Sequence, residues 1–214
     1  MTAHSKAEKF FTPEEKGKIK AAVQDVESRT SGEIVVVVVD RSDHYREAEV
    51  LGGVLLGSVL SLVVTLLFFH VLIWSYIPLS FFLYFPCRLL FQRQEALKQL
   101  FVGARRKDEA VRMRAEREFF EKGLYRTKKD TGVLFFLSLF ERKIWVLAGR
   151  AICEKMDQET LNRFAGQVSA GIREGRTCSA LLETIREIGG LLSQYFPVTS
   201  DDTDELPDDV VAEE

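Results

Sequence analysis

From Val50 to Cys87 the chain runs for 38 residues without an Asp, Glu, Lys or Arg, while both flanks are densely charged. One straight helix of that length would span roughly 57 Å at about 1.5 Å per residue, nearly twice the roughly 30 Å hydrocarbon core of a bilayer. A transmembrane hairpin of two crossings fits better. The first is expected from Val50 to about Val71, with Gly53 and Gly57 at GxxxG spacing and Ser61 continuing that small-residue stripe toward a partner helix. The second, about Pro78 to Phe91, is short, broken by Pro86 and ended by Arg88, so that it either spans a thinned bilayer or re-enters. His70, Trp74 and Tyr76 suit an interface, and Pro78 restarts the chain.

The flanking charge orients the hairpin. Arg41 and Arg46 precede it, Arg88, Arg93, Lys98, Arg105, Arg106 and Lys107 follow its core, and no positive charge lies between the crossings. The positive-inside rule then puts both termini in the cytoplasm, with the protein in the cell's inner (cytoplasmic) membrane. The first 30 residues read as a charged amphipathic helix with no apolar central region, so no signal peptide is expected. Membrane lipid is the first expected partner. Another membrane protein or a second copy, docking through Gly53, Gly57 and Ser61, is the other.

Eight of the 32 acidic residues fall within 201–214, which holds no basic one, so residues 199–214 are expected to be a disordered acidic tail behind a mildly basic body. The basic runs at 105–107 and 112–117 sit beside the membrane segment, and the second is interleaved with acids, which favours headgroup contact over nucleic acid. Cys87, Cys153 and Cys178 are odd in number and share no metal-type spacing, which points to reduced thiols.

Outside the hairpin the chain reads as α/β. Thr12, Pro13 and Glu15 announce a capped helix whose stripe is Ile19, Val23 and Val26. After Gly32 the run Glu33 to Asp40 contains five valines with no polar alternation, which marks a central strand covered on both faces. A basic helix is expected over about 94–128, its later Phe119–Phe120 pair packing on a sheet. Strands Val133–Leu139 and Lys143–Ala148, joined by a turn over Phe140–Arg142, follow. One helix beginning at Asp157 or Thr160 and another at Thr177 or Ser179 close the domain. The first strand then needs strands from the far side of the hairpin to bury its valines.

The strings TSGEIVVVVVD at 30–40 and KKDTGVLFFLSLFERKIWVLAGRAI at 128–152, with paired terminal helices ending GLLSQYFP, resemble the TPM domain, shared by thylakoid-lumen phosphatase-like proteins, a photosystem II repair protein and an acetylcholine-receptor accessory subunit. The resemblance implies a TPM-like sheet flanked by helices, formed by residues 10–49 and 105–198, with the transmembrane hairpin, residues 50–91, inserted after the first strand. Typical members carry a signal peptide and a C-terminal membrane helix. This chain departs from that plan and looks like a membrane-associated bacterial branch, for which the resemblance implies no settled activity. Non-enzymatic interaction or assembly at the cytoplasmic membrane is the expectation, and a divalent-metal-dependent phosphatase-like enzyme is the alternative.

For that alternative the oxygen donors are Asp40 at the end of the first strand, Asp43 shortly after it, and Asp130 before the second. Hard cations such as Ca²⁺ or Mg²⁺ suit them. The competing reading gives Asp40 and Asp43 to turn caps and Asp130 to a solvated KKDTG turn. In a parallel pair, Asp40 and Asp130 would lie at opposite ends of the sheet. His44 reads as part of a solvated loop rather than a general base, and Cys153 as an inert core residue rather than a nucleophile.

Overall fold

The computed structural model describes residues 5–68, 73–127, 129–198 and 209–213. They form two units, residues 1–42 with 108–214 and residues 43–107. His70 and Val71 lie outside the described residues.

The first unit is built on a four-stranded sheet in the order β3-β2-β1-β4, with β1 Glu33–Val39, β2 Gly132–Ser138, β3 Lys143–Ala148 and β4 Val211–Glu213. β1 and β2 run parallel, from Glu33 opposite Gly132 to Val39 opposite Ser138, so the two halves of the chain meet in one sheet across the insertion. β3 returns antiparallel to β2, and β4 lies parallel on the other side of β1. Every residue of β1 and β2 is buried, as a run of apolar residues without alternation requires when both faces are covered. Ile34, Val36 and Val38 face a core completed by α2 (Pro13–Glu27), α8 (Gln158–Arg173) and α9 (Thr177–Tyr195); Val35, Val37 and Val39 pack with Val111, Ala115 and Phe119 of α6 (Ala104–Glu121).

Several local signals act as their chemistry dictates. Thr12 and Glu15 form a reciprocal capping box on α2 with Pro13 in its first turn, and Asp157 caps α8. Four differences from the sequence reading have physical reasons. The basic helix is two helices, α5 (Glu95–Phe101) and α6, separated at Val102–Gly103. Of the paired phenylalanines, Phe119 is buried and Phe120 is 60% exposed, because adjacent helical positions point about 100° apart. A short α1 (Lys6–Phe10) precedes α2, and α7 (Arg150–Cys153) follows β3. Within the stretch read as a disordered tail, residues 211–213 are strand β4, recruited by the otherwise open edge of β1.

The second unit is helical: α3 (Arg46–Phe68), α4 (Ile73–Arg93) and α5. α3 is long and apolar enough, by length and composition, to cross a membrane, and it is the one described helix that meets both conditions. Pro78 and Pro86 neither restart nor break the second segment; both lie inside α4. Ser80 Oγ donates to Ile77 O at 2.8 Å, and Ser61 Oγ of α3 donates across to Tyr76 O at 3.0 Å. The small-residue stripe is turned onto α4: a Cβ on Gly53 would come within 3.0 Å of Arg88 and one on Gly57 within 3.2 Å of the Tyr84 backbone. Gly53, Gly57 and Ser61 thus all meet α4 within this unit. At the base, Lys98 and Glu49, only 4% and 7% exposed, pair at 2.6 Å.

Candidate functional site

In an open sheet with parallel strands, ligands gather outside the carboxyl ends of those strands. Here that edge is formed by the residues following β1 and β2 and by the last residue of β4. Asp40 directly follows β1, its amide donating to Glu213 O at 3.2 Å. Its carboxylate accepts from Ser5 Oγ at 2.7 Å and from the amides of Ala7 at 2.5 Å and Lys6 at 3.2 Å, so it ties the start of α1 to the sheet. Burial pushes this carboxyl up, but the Ser5 hydroxyl and the two amides outweigh it and hold it below its ordinary value.

Asp130 is elsewhere. It is an exposed turn residue with φ 54°, two residues before β2, where Asp tolerates the left-handed conformation. The parallel register sets Asp40 beyond one end of the β1–β2 pair and Asp130 beyond the other. At a rise of about 3.3 Å per residue they are more than about 20 Å apart, against the roughly 2.3–2.6 Å that a shared Ca²⁺ requires. Asp43 belongs to the second unit, where Arg106 donates to it and also pairs with Glu47 at 3.1 Å. Among the described residues no three His, Cys, Asp or Glu side chains form a group able to hold a metal. The structure thus does not bring Asp40 and Asp130 together, and no metal-dependent step follows from them. His44 is exposed, with its amide on Asp43 Oδ1 at 2.6 Å. Cys153 is exposed rather than in the core, its Sγ donating to Ala148 O at 3.4 Å.

The edge holds two charged clusters that the sequence reading missed. In one, Ser42 N donates to Glu141 at 3.1 Å, Ser42 Oγ donates to Ser138 Oγ at 2.9 Å, and Ser138 Oγ in turn donates to the buried Glu141 carboxylate. In the other, Glu118 of α6 is fully buried beside Glu213 of β4, with Arg114 at 2.8 Å and Lys122 at 3.9 Å from Glu118. Arg114 and Lys122 also reach Glu213, at 3.0 and 2.5 Å. The second cluster had a legible signal. Glu118 continues the face of Val111 and Ala115, an acid where an apolar residue belongs.

Burial and the neighbouring Glu213 push the Glu118 carboxyl up, and the two cations offset this only partly. On Glu213 burial also pushes up, but Lys122 and Arg114 prevail and hold that carboxyl low. The two contributions to stability have opposite signs. Above the unfolded glutamate value of about 4.3, the cost of ionising Glu118 grows with pH until its raised folded value is passed and stays in full beyond it, while Glu213 contributes stability that is lost as pH falls through its lowered one. Glu118→Gln is accordingly expected to raise the melting temperature by about 2–4 °C at about pH 8 and by nothing at about pH 4. Melting curves of parent and variant across that range check it; a gain independent of pH would remove the carboxyl as its cause.

Comparison with known proteins agrees with this architecture. A family model for the TPM domain matches residues 5–52 and 96–191. The unmatched residues between them hold most of α3 and α4. No curated protein gives a significant match. The NMR structure of BA42 protein from the psychrophilic bacterium Bizionia argentinensis has the same fold, with a TM-score of 0.59 and 19% identity over 95% of each chain. With its buried parallel pair completed across an insertion and the family match on both sides of it, this chain belongs to the TPM domain family.

Proposed function

We propose that this chain is a TPM-domain module held in the inner (cytoplasmic) membrane by the α3–α4 hairpin, with both termini cytoplasmic, and that it acts there by interaction or assembly rather than by catalysis. The observation that carries the reading is the direction of the apolar side chains in the helical unit. Small residues face inward between the helices, while Leu55, Val59, Leu67, Phe81 and Phe82 are 53–71% exposed. Water would penalise a surface of that size, and lipid would not. The charge around the hairpin sets the side, as the positive-inside rule requires. Lipid on the outward faces is the first partner. For the module, the donors of Asp40 matter: its oxygens accept from Ser5, Lys6 and Ala7, which is an anchoring role. No observation favours the metal-dependent phosphatase alternative.

Reporter fusions at the two ends of the full chain in intact cells test the topology. Both reporters are expected to read as cytoplasmic, and one external reading would remove the hairpin. A phosphatase assay with added Ca²⁺ or Mg²⁺ tests the module. Metal-dependent turnover abolished by Asp40→Ala would replace the interaction reading with the enzymatic one.

A further inference from the structure

Beside the carboxyl end of β2, on the sheet face covered by α8, lies a cavity of about 530 Å³. Its walls include Phe10, Leu139 and Ile172, and its polar groups are led by Lys6, Arg142 and Arg173. Ser138 also lines it, but the Ser138 hydroxyl is spent on the buried Glu141. No acidic residue contributes to the lining. Both arginines are exposed, and among the described residues neither forms an ion pair; Arg173 Nε donates to the Ser169 carbonyl at 3.4 Å.

We propose that this cavity binds an anionic amphiphile, a phosphate or carboxylate head on one apolar chain. The head sits at Arg142 and Arg173, and the chain lies against Phe10, Leu139 and Ile172. Three observations converge on that chemistry. The volume lies within the roughly 300–1,000 Å³ range of small-molecule sites. The position is the one that strand topology favours, outside the carboxyl ends of parallel strands. The charge is unbalanced: guanidinium groups facing an apolar cavity without carboxylates are best matched by an oxyanion that accepts paired hydrogen bonds. A bare anion leaves the apolar walls uncovered, and a neutral hydrophobe leaves the arginines unmatched. The inference stands apart from the membrane reading, since an amphiphile of this class can come from a bilayer or from solution.

The test uses the full chain in nanodiscs of zwitterionic lipid, titrated with decyl phosphate, decyl alcohol and inorganic phosphate, with empty discs subtracted. Decyl phosphate is expected to bind, and the other two to bind at least about tenfold more weakly. Arg142→Gln with Arg173→Gln should weaken decyl phosphate by at least about tenfold, consistent with about 1.5 kcal/mol or more for hydrogen bonds to a charged group. Leu139→Trp, which fills the cavity, should weaken it similarly, and unchanged melting temperatures show that the variants are folded. Equal affinity of parent and double variant overturns the proposal, as does binding of decyl alcohol or inorganic phosphate as tight as that of decyl phosphate, or no binding of decyl phosphate. Discs doped with phosphatidic acid separate the sources: competition with decyl phosphate assigns the head group to the bilayer, and lack of competition assigns a free amphiphile.

Discussion

Val37→Asp is expected to abolish the folded sheet near neutral pH. Val37 is fully buried in β1, between Phe136 of β2 and Val211 of β4, and its side chain shares a core with Val111, Ala115 and Phe119 of α6. None of these neighbours offers a cation or a donor. An ionised carboxylate placed there costs several kcal/mol, a large fraction of the roughly 5–15 kcal/mol that stabilises an ordinary domain. The pH dependence identifies the cause. Burial raises the folded value of the new carboxyl above its unfolded value of about 3.9, so the ionisation penalty is absent below that value. It then grows as pH rises toward the raised folded value and levels off beyond it. Melting by far-ultraviolet circular dichroism should show no cooperative transition near neutral pH and a partial return of one in acid. Val37→Asp melting like the parent at neutral pH would mean that this strand face is open to water.

How much of this could be read in advance depends on whether the cause is local or tertiary. β3 runs over Lys143–Ala148, where the turn over Phe140–Arg142 and the β-prone residues after it place it, and the α2 capping box follows from Thr12, Pro13 and Glu15 alone. The burial of β1 was legible because five valines in a row have no polar face to show. β4 was not: Val211–Glu213 is three residues behind an acidic run, and it becomes a strand because the edge of β1 is there to receive it. α1 is similarly tertiary, since Asp40 grips its first residues from 33 to 35 positions away. Pro78 and Pro86 misled because α4 continues through both while packed against the small-residue face of α3, a tertiary contact that a proline rule applied to the sequence alone does not see. Asp40 and Asp130 lie apart for a geometric reason that the pattern already contained. Strands joined by a crossover run parallel, so the end of one and the start of the next cannot meet. Arg142 and Arg173, 31 positions apart, line one cavity through the packing of α8 against the β2–β3 hairpin, and no spacing in the sequence announces that.

Gly149→Ala is expected to destabilise the protein by about 2–4 kcal/mol, although it adds one methyl group. Gly149 ends β3 and begins α7, with φ −62°, a conformation any residue adopts, so the requirement for glycine is not conformational. It is one of space. A Cβ at this position would lie 2.1 Å from the carbonyl oxygen of Asp130 and 2.7 Å from its carbonyl carbon. Both are backbone atoms, so no side-chain rotation relieves the overlap, and the turn before β2 has to move. That turn is held from several directions: Gly149 N donates to Gly132 O at 2.7 Å, Thr131 Oγ donates to Ser31 O at 2.5 Å, and Asp130 N donates to Thr127 O at 3.0 Å. Moving it costs overpacking strain of about 1–3 kcal/mol and about 1 kcal/mol for the Gly149–Gly132 hydrogen bond. For a domain of this size the melting temperature should fall by about 5–15 °C. Gly166→Ala is the matched control, because Gly166 is exposed within α8 and has nothing within 4 Å of its added Cβ. That variant should instead gain up to about 1 kcal/mol from helix propensity. Opposite signs from the same chemical change, read in one set of melting curves, would tie the loss at Gly149 to the Asp130 carbonyl. Equal effects at the two sites would mean that the turn yields freely and that the DTG stretch is held less firmly than its hydrogen bonds imply.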